Sequence, residues 1–600
     1  MAELKNYYTV VENKTGVWIG NDEIAYLSDK SGVNQIWTMS LKDKVPVQRT
    51  FYKERIWRMA TAANGQDLIF ASDLGGNEQE QIYILKKGAA EAEDLTQDGT
   101  SRFYMGGTDP EVKQLYFTCN KRNKASFDIC KMDIETKEVQ IVLENHDNYN
   151  LPESVSPDGK YMLYNKLKGM SDNRMYIVNM ETGESKDLYP EGGFAQYQST
   201  AWKSDSSGFF VTCDEDDEFL YVAYYDVASG TLTDFYHADW DISALALSSD
   251  DRYLAMVVNA DGYGELKIID LKCNDFIAIP QPPKGFIYTY AGIQWSPEGH
   301  KLLFTFTSGR RPAGLWVLDL DADSVYALTD SAIEGILPEE MTEPELREFH
   351  SFDGLRVPYW YYRAPGTIKD VPGPVVLEIH GGPEGQEFPM YTPLIQYLVG
   401  QGFSVVAPNI RGSVGYGKTY HHLDDVEKRL DSVADVACLV QHLIDTEVAD
   451  PERVAIMGAS YGGYMTLASI TNYPDLWAAA IDTVGMSDLE TFLENTAEYR
   501  RSHRESEYGT LAHDRETLRR VSPIHKVDQI VAPLMVIHGA NDPRVPVSEA
   551  DQIVASLENR GVPVKYLRYA DEGHGLSKLK NKLDCYPQVV EFLKKHLLDK

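Results

Sequence analysis

The stretch VAIMGASYGGYMTLASI, residues 454–470, decides how the second half of this 600-residue chain folds. Its first four residues are apolar and read as a buried strand. Gly458, Ala459, Ser460, Tyr461 and Gly462 follow, and Tyr464 to Ile470 reads as a helix. Strand, sharp turn and helix with a serine at the turn is the pattern of a nucleophile elbow, which pushes the serine oxygen out of the sheet. The flanking glycines fit because a side chain there would meet the returning helix.

A serine needs a base to become a nucleophile, and the chain supplies candidates in a telling order. Pro533 to Gly539 reads as a buried strand, and Asp542 lies just beyond it. Val564 to Tyr569 reads as another strand and runs into Asp571-Glu572-Gly573-His574-Gly575. Ser460, Asp542 and His574, each just past a strand, stand in the chain order of an α/β-hydrolase triad. Asp528, Asp551 and Asp571 compete with Asp542, and His538 competes with His574. His574 is preferred because Gly573 and Gly575 suit an exposed loop. Acyl transfer also needs N–H donors for the oxyanion. The backbone N–H of Tyr461 is one candidate; Gly382 is the other, in His380-Gly381-Gly382-Pro383 after the strand-like Val375 to Ile379.

These segments, with NIRGSVGYG at 409–417 and HGANDPRVP at 538–546, resemble the prolyl oligopeptidase family, and within it the acylaminoacyl-peptidase branch. The likeness covers residues 339–600. It implies an α/β-hydrolase catalytic domain over 339–600 and a β-propeller over 1–338, with the first few residues packing on the hydrolase domain. It implies a serine peptidase for short peptides, N-acylated ones above all, whose propeller restricts access. An esterase, or a dipeptidyl- or oligopeptidase, stays open as an alternative. The resemblance also makes Arg544, in its Asp-x-Arg position, a ligand for the substrate's acyl or P2 carbonyl. Val484 and Phe492 are assigned to the S1 pocket, with a core position for Phe492 left open.

The first half of the chain carries a repeat of its own. Equivalent apolar strands start near Glu23, Asp67, Gln114, Lys160, Gly208, Arg252 and His300, at steps of 44, 47, 46, 48, 44 and 48 residues. A period of ~40–50 residues with several strands per unit marks a β-propeller. Seven units give seven blades, with six or eight open because blade edges are hard to place.

Composition excludes several functions. A net charge of −34 argues against nucleic acid as a partner. No apolar run reaches the roughly 20 residues of a membrane span, and Met1 to Asn6 lacks a secretory apolar segment. Six scattered cysteines form no disulfide framework. A cytoplasmic protein acting on short peptide substrates is the expectation, with a homo-oligomer left open. No organic cofactor and no metal are expected. Gly412 to Thr419 matches a phosphate-loop pattern, but no apolar helix follows it. His421, His422, Asp424 and Asp425 match no standard metal spacing and are read as a solvated loop. The acidic run Asp214 to Glu218 is read as a solvated hairpin turn in blade five.

Overall fold

The structure is a computed structural model that describes all residues except 1–3, 147–148, 170–171, 290–291, 330, 332, 334, 369–370 and 600. Seven antiparallel sheets follow one another along the chain, over residues 13–48, 56–94, 103–143, 149–187, 197–236, 242–276 and 286–327. Six have four strands, and the last has a fifth short one. Each blade packs on the next, and the seventh packs on the first. The strands that set the sequence period are the second in each blade, such as Glu23–Ser28, Gln114–Asn123 and Gly208–Cys213. They read as apolar runs because a neighbouring blade covers each face.

Among the described residues no strand is shared across the seam between blades one and seven. Side chains close the ring instead. Trp18, Ile24, Tyr26 and Met39 of blade one pack on Leu303, Leu315, Val317 and Leu328 of blade seven. The Trp18 indole N–H donates to the Gln294 carbonyl at 3.1 Å. Gly16 sits so close that a Cβ there would lie 2.9 Å from Leu315.

The rest of the chain builds one eight-stranded sheet in the order 345–350, 356–362, 404–408, 373–379, 449–459, 479–483, 534–539, 564–569. The strands from 404–408 onward are parallel, so their C-terminal ends share one edge. Loops at that edge are where open α/β sheets place their sites. Two apolar layers cover the sheet, one around the helices Arg429–Asp445 and Tyr461–Asn472, the other around Pro393–Gly400 and Leu579–Leu597. The short helix Leu4–Tyr8 packs on this second layer, with Tyr8 stacked on Tyr586 at 5.0 Å. No helix among the described residues is long and apolar enough to cross a membrane.

Because apolar packing dominates the seam, Leu315→Ala should destabilise the propeller by about 2–5 kcal/mol, the range for a buried Leu cavity. Chemical denaturation followed by propeller tryptophan fluorescence measures this. A change below about 0.5 kcal/mol would show that the seam does not hold the ring.

Candidate active site

The elbow forms as the glycines require. Strand Ala449–Ala459 ends at Ser460, whose backbone is strained at φ 59°, ψ −115°, and helix Tyr461–Asn472 starts at once. A Cβ on Gly462 would collide with the Ile379 carbonyl of the adjacent strand. Gly463 is forced by another neighbour: the carboxylate of Asp482 lies where its Cβ would be. Asp482 is fully buried at the end of its strand and accepts from the Gly485 N–H at 3.0 Å. Burial pushes its pKa up to about 7.

The structure brings Asp542 and His574 together: His574 Nδ1 lies 2.6 Å from Asp542 Oδ2. The other Asp542 oxygen accepts from the N–H groups of Arg544 and Val545 at 2.8 and 3.0 Å. The competing His538 is wholly buried and turned to the Val545 carbonyl at 3.0 Å. The hydrogen bond from Ser460 Oγ to His574 is not formed among the described residues, a common state of unliganded sites. Gly381 packs on the elbow, its Cβ direction pointing 3.5 Å from Ser460 Cβ. The N–H of Gly382 enters no backbone hydrogen bond among the described residues, and that of Tyr461 opens the helix without an intrahelical acceptor.

The remaining expectations divide. Phe492 is a core residue, edge-on to Tyr508 at 5.9 Å. Val484 is buried as well, at φ 46° after its strand. Arg544 is not a free guanidinium: its Nε donates to Glu78 of blade two at 2.6 Å. Glu78 was not visible as a site residue in the sequence. It is 1% exposed, and its second oxygen accepts from Arg102 at 3.0 Å. Arg102 also donates to Glu80 at 2.7 Å and to the Tyr499 hydroxyl at 2.8 Å. Burial alone would raise the Glu78 pKa, but the charges of Arg544, Arg102 and Arg500 win and bring it to about 2. In the same loop Gly75 accepts from Asn541 at 3.3 Å, and Gly76 lies against Gly573, next to His574. Blade two thus touches the loops of both triad partners.

Two loops read as solvated are buried. In the blade-five turn only Asp216 to Glu218 reach solvent; Asp214 and Glu215 are each 5% exposed. Glu215 pairs with Arg174 at 2.5 Å and accepts from Tyr197 at 2.7 Å. Asp214 faces Lys418 at 3.4 Å, and Glu218 accepts from the Thr419 hydroxyl at 2.6 Å. The lysine and threonine of the phosphate-loop pattern are therefore spent on the propeller. His421 and Asp424 are buried too. Asp424, Asp425 and Glu507 bring carboxylate oxygens within 4.8 Å of one another, and Arg429 is the buried cation between Asp424 and Glu507. Asp424 accepts from the Tyr461 hydroxyl at 2.9 Å, so this group braces the residue after the nucleophile.

Residues 389–600 match the profile of the prolyl oligopeptidase family. The matched stretch carries Ser460, Asp542 and His574, and it makes this chain similar to serine peptidases of that family. The "Dipeptidyl peptidase family member 6" of Caenorhabditis elegans is 25% identical over 96% of this chain and 83% of its own length. The "Dipeptidyl aminopeptidase BIII" of Pseudoxanthomonas mexicana is 38% identical over 35% of this chain and 32% of its own length. Among solved structures, the Pyrococcus horikoshii acylaminoacyl peptidase superposes with a TM-score of 0.76 at 19% identity, over 100% of this chain and 98% of that one. That likeness is one of fold.

Asp482 gives the site a pH signature. Its folded pKa is raised, so its favourable contribution is complete below the unfolded carboxylate value and is lost as pH rises through about 7. The stability of Asp482→Asn relative to the parent should therefore grow between pH 5 and 8, with a slope of at most about 1.4 kcal/mol per pH unit. Parallel stability–pH curves for the two proteins would contradict a buried, neutral Asp482.

Proposed function

We propose that this peptidase hydrolyses short N-blocked peptides through a Ser460–His574–Asp542 acyl-enzyme mechanism. Ser460 attacks the scissile carbonyl while His574 takes its proton. Asp542, bound at 2.6 Å, fixes the imidazole tautomer and stabilises the imidazolium. The N–H groups of Tyr461 and Gly382 receive the oxyanion. His574 then protonates the leaving amine, and water enters by the reverse route. The propeller, docked on the triad loops, limits entry to short or unfolded chains.

The preference for a blocked N-terminus rests on one observation. The two carboxylates that blade two brings to this mouth, Glu78 and Glu80, are engaged by Arg102, Arg544 and Arg58. A peptide ammonium group needs a carboxylate free to accept it; here arginines fill both Glu78 oxygens and one Glu80 oxygen, and Arg58 lies 3.4 Å from the other. A neutral acyl group meets no such conflict, and its carbonyl suits Arg544 as a donor. The dipeptidyl names carried by two relatives describe those proteins; the arginine-saturated mouth is the reason for reading this one differently.

Ser460→Ala and His574→Ala should each lower kcat by about 10⁴–10⁶-fold with the fold intact, and the double variant should be little worse. Activity of Ser460→Ala within about tenfold of the parent would remove the assignment.

The second check compares a dipeptide anilide with its N-acetyl form. The blocked form should have the higher kcat/KM by at least about tenfold, the cost of presenting an unpaired charge to such a mouth. Faster cleavage of the free-amine form would make the enzyme a dipeptidyl peptidase.

A further inference from the structure

Arg500 stands at the mouth with no ion pair among the described residues. Arg500 lies on helix Glu498–Tyr508, which meets the active site along its length. At its start the Ala497 N–H donates to the Pro543 carbonyl at 3.4 Å, and the Thr496 hydroxyl donates to the Arg544 carbonyl at 2.8 Å. One turn beyond Arg500, on the same face, Arg504 donates to the Gly382 carbonyl of the oxyanion loop at 3.3 Å and pairs with Glu384 at 3.0 Å. Arg500 therefore stands between Arg544 and the oxyanion loop.

The neighbouring guanidiniums of Arg544, Arg102 and Arg504 are engaged, while Arg55 lies on the Trp57 ring. Arg544 has Glu78, Arg102 has Glu78 and Glu80, and Arg504 has Glu384. Arg500 makes no ion pair and no side-chain hydrogen bond among the described residues, and its Nε is buried without an acceptor. Burial and the charges of Arg504 and Arg544 lower its pKa, yet an arginine does not shed its proton in a protein. Its neighbour His503 is buried and held well below the usual histidine range by that burial and by Arg504 and Arg500, so it adds no charge. Glu78 attracts Arg500 from beyond ion-pair distance, so its N–H donors stay unfilled, and an incoming anion that accepts from them is favoured. The location is notable in a chain of net charge −34, whose surface repels anions at long range.

We propose that Arg500, flanked by Arg504 and Arg544, anchors an anion subsite that takes a carboxylate on the acyl half of the substrate. That carboxylate belongs to a dicarboxylic acyl group or to an acidic residue ahead of the scissile bond. The acyl half is indicated because Arg500 reaches the site along the oxyanion loop, whereas the leaving amine departs beside His574. A guanidinium offers a carboxylate two parallel N–H donors, and this one has them all unspent. The proposal rests on the N-blocked reading above, and the test separates the two.

Four anilides with one common P1 residue decide it: N-acetyl, N-succinyl, its neutral isostere N-succinamoyl, and the free-amine dipeptide. The parent enzyme should prefer succinyl to succinamoyl by about 10- to 100-fold in kcat/KM, the range for a charge-assisted hydrogen bond. That ratio should fall as salt rises, because the charges are partly exposed. In Arg500→Met the ratio should collapse toward one, and Arg500→Lys should restore part of it. A parent ratio of one or below overturns the subsite without any variant being made. A ratio that survives in Arg500→Met assigns the anion elsewhere and also overturns it. Moving the carboxylate to the leaving half should bring no gain; a gain there overturns the placement on the acyl side. If the free-amine substrate is fastest of the four, the N-blocked reading fails, whatever the succinyl ratio shows.

Discussion

A buried carboxylate must be paired, and in this protein that rule ties the two halves of the chain together at the active site. Glu78 is 1% exposed and in a left-handed backbone conformation, φ 56°. It is held there by Arg102 from the propeller and Arg544 from the hydrolase sheet. Removing either arginine would leave one buried Glu78 oxygen without its donor, which is costlier than losing a surface pair. Blade two is thereby fixed against the Asp542 loop, and through Gly75 and Gly76 against Asn541 and the loop of His574. A second tie, Asp214 and Glu218 with Lys418 and Thr419, anchors blade five to the loop that follows Arg411. Docking of the propeller and the charge around the proposed site therefore share the same residues.

The geometry of the proposed catalytic site follows from the sheet. Parallel strands end at one edge, so residues separated by more than 100 positions in sequence meet there. Ser460 is set by backbone strain at the elbow, Asp542 by two N–H donors from its own loop, and His574 by Asp542. Buried groups behind the edge add support: Asp482 under Gly463, and Arg429 with Asp424 under Tyr461. Asp424 hydrogen-bonds the Tyr461 hydroxyl it braces, whereas Asp482 accepts from Gly485 and meets Gly463 by close packing.

Much of this was legible in the sequence because it is written locally. The seven repeat starts fall within one residue of the second strands of the seven blades, since those strands are buried on both faces and read as apolar runs. The elbow was legible because glycine spacing reports backbone approach directly. What stayed hidden were pairings between distant residues. Glu78 and Arg544 are 466 positions apart, and nothing near either one marks the partner. Asp214 and Glu215, and His421 to Asp425, look like solvated polar runs because charge in a sequence suggests water, whereas here facing loops bury it. Arg500 gave no signal in the sequence; its interest lies in the absence of a partner, which only the folded chain reveals.

The most direct measurement is mass spectrometry of the enzyme quenched during turnover of an N-acyl ester, for which deacylation limits the rate. The account predicts one acyl adduct per chain, mapped to the peptide containing Ser460, and no adduct in Ser460→Ala. An adduct on another residue, or turnover with no covalent intermediate under conditions that trap one in known serine peptidases, would contradict it.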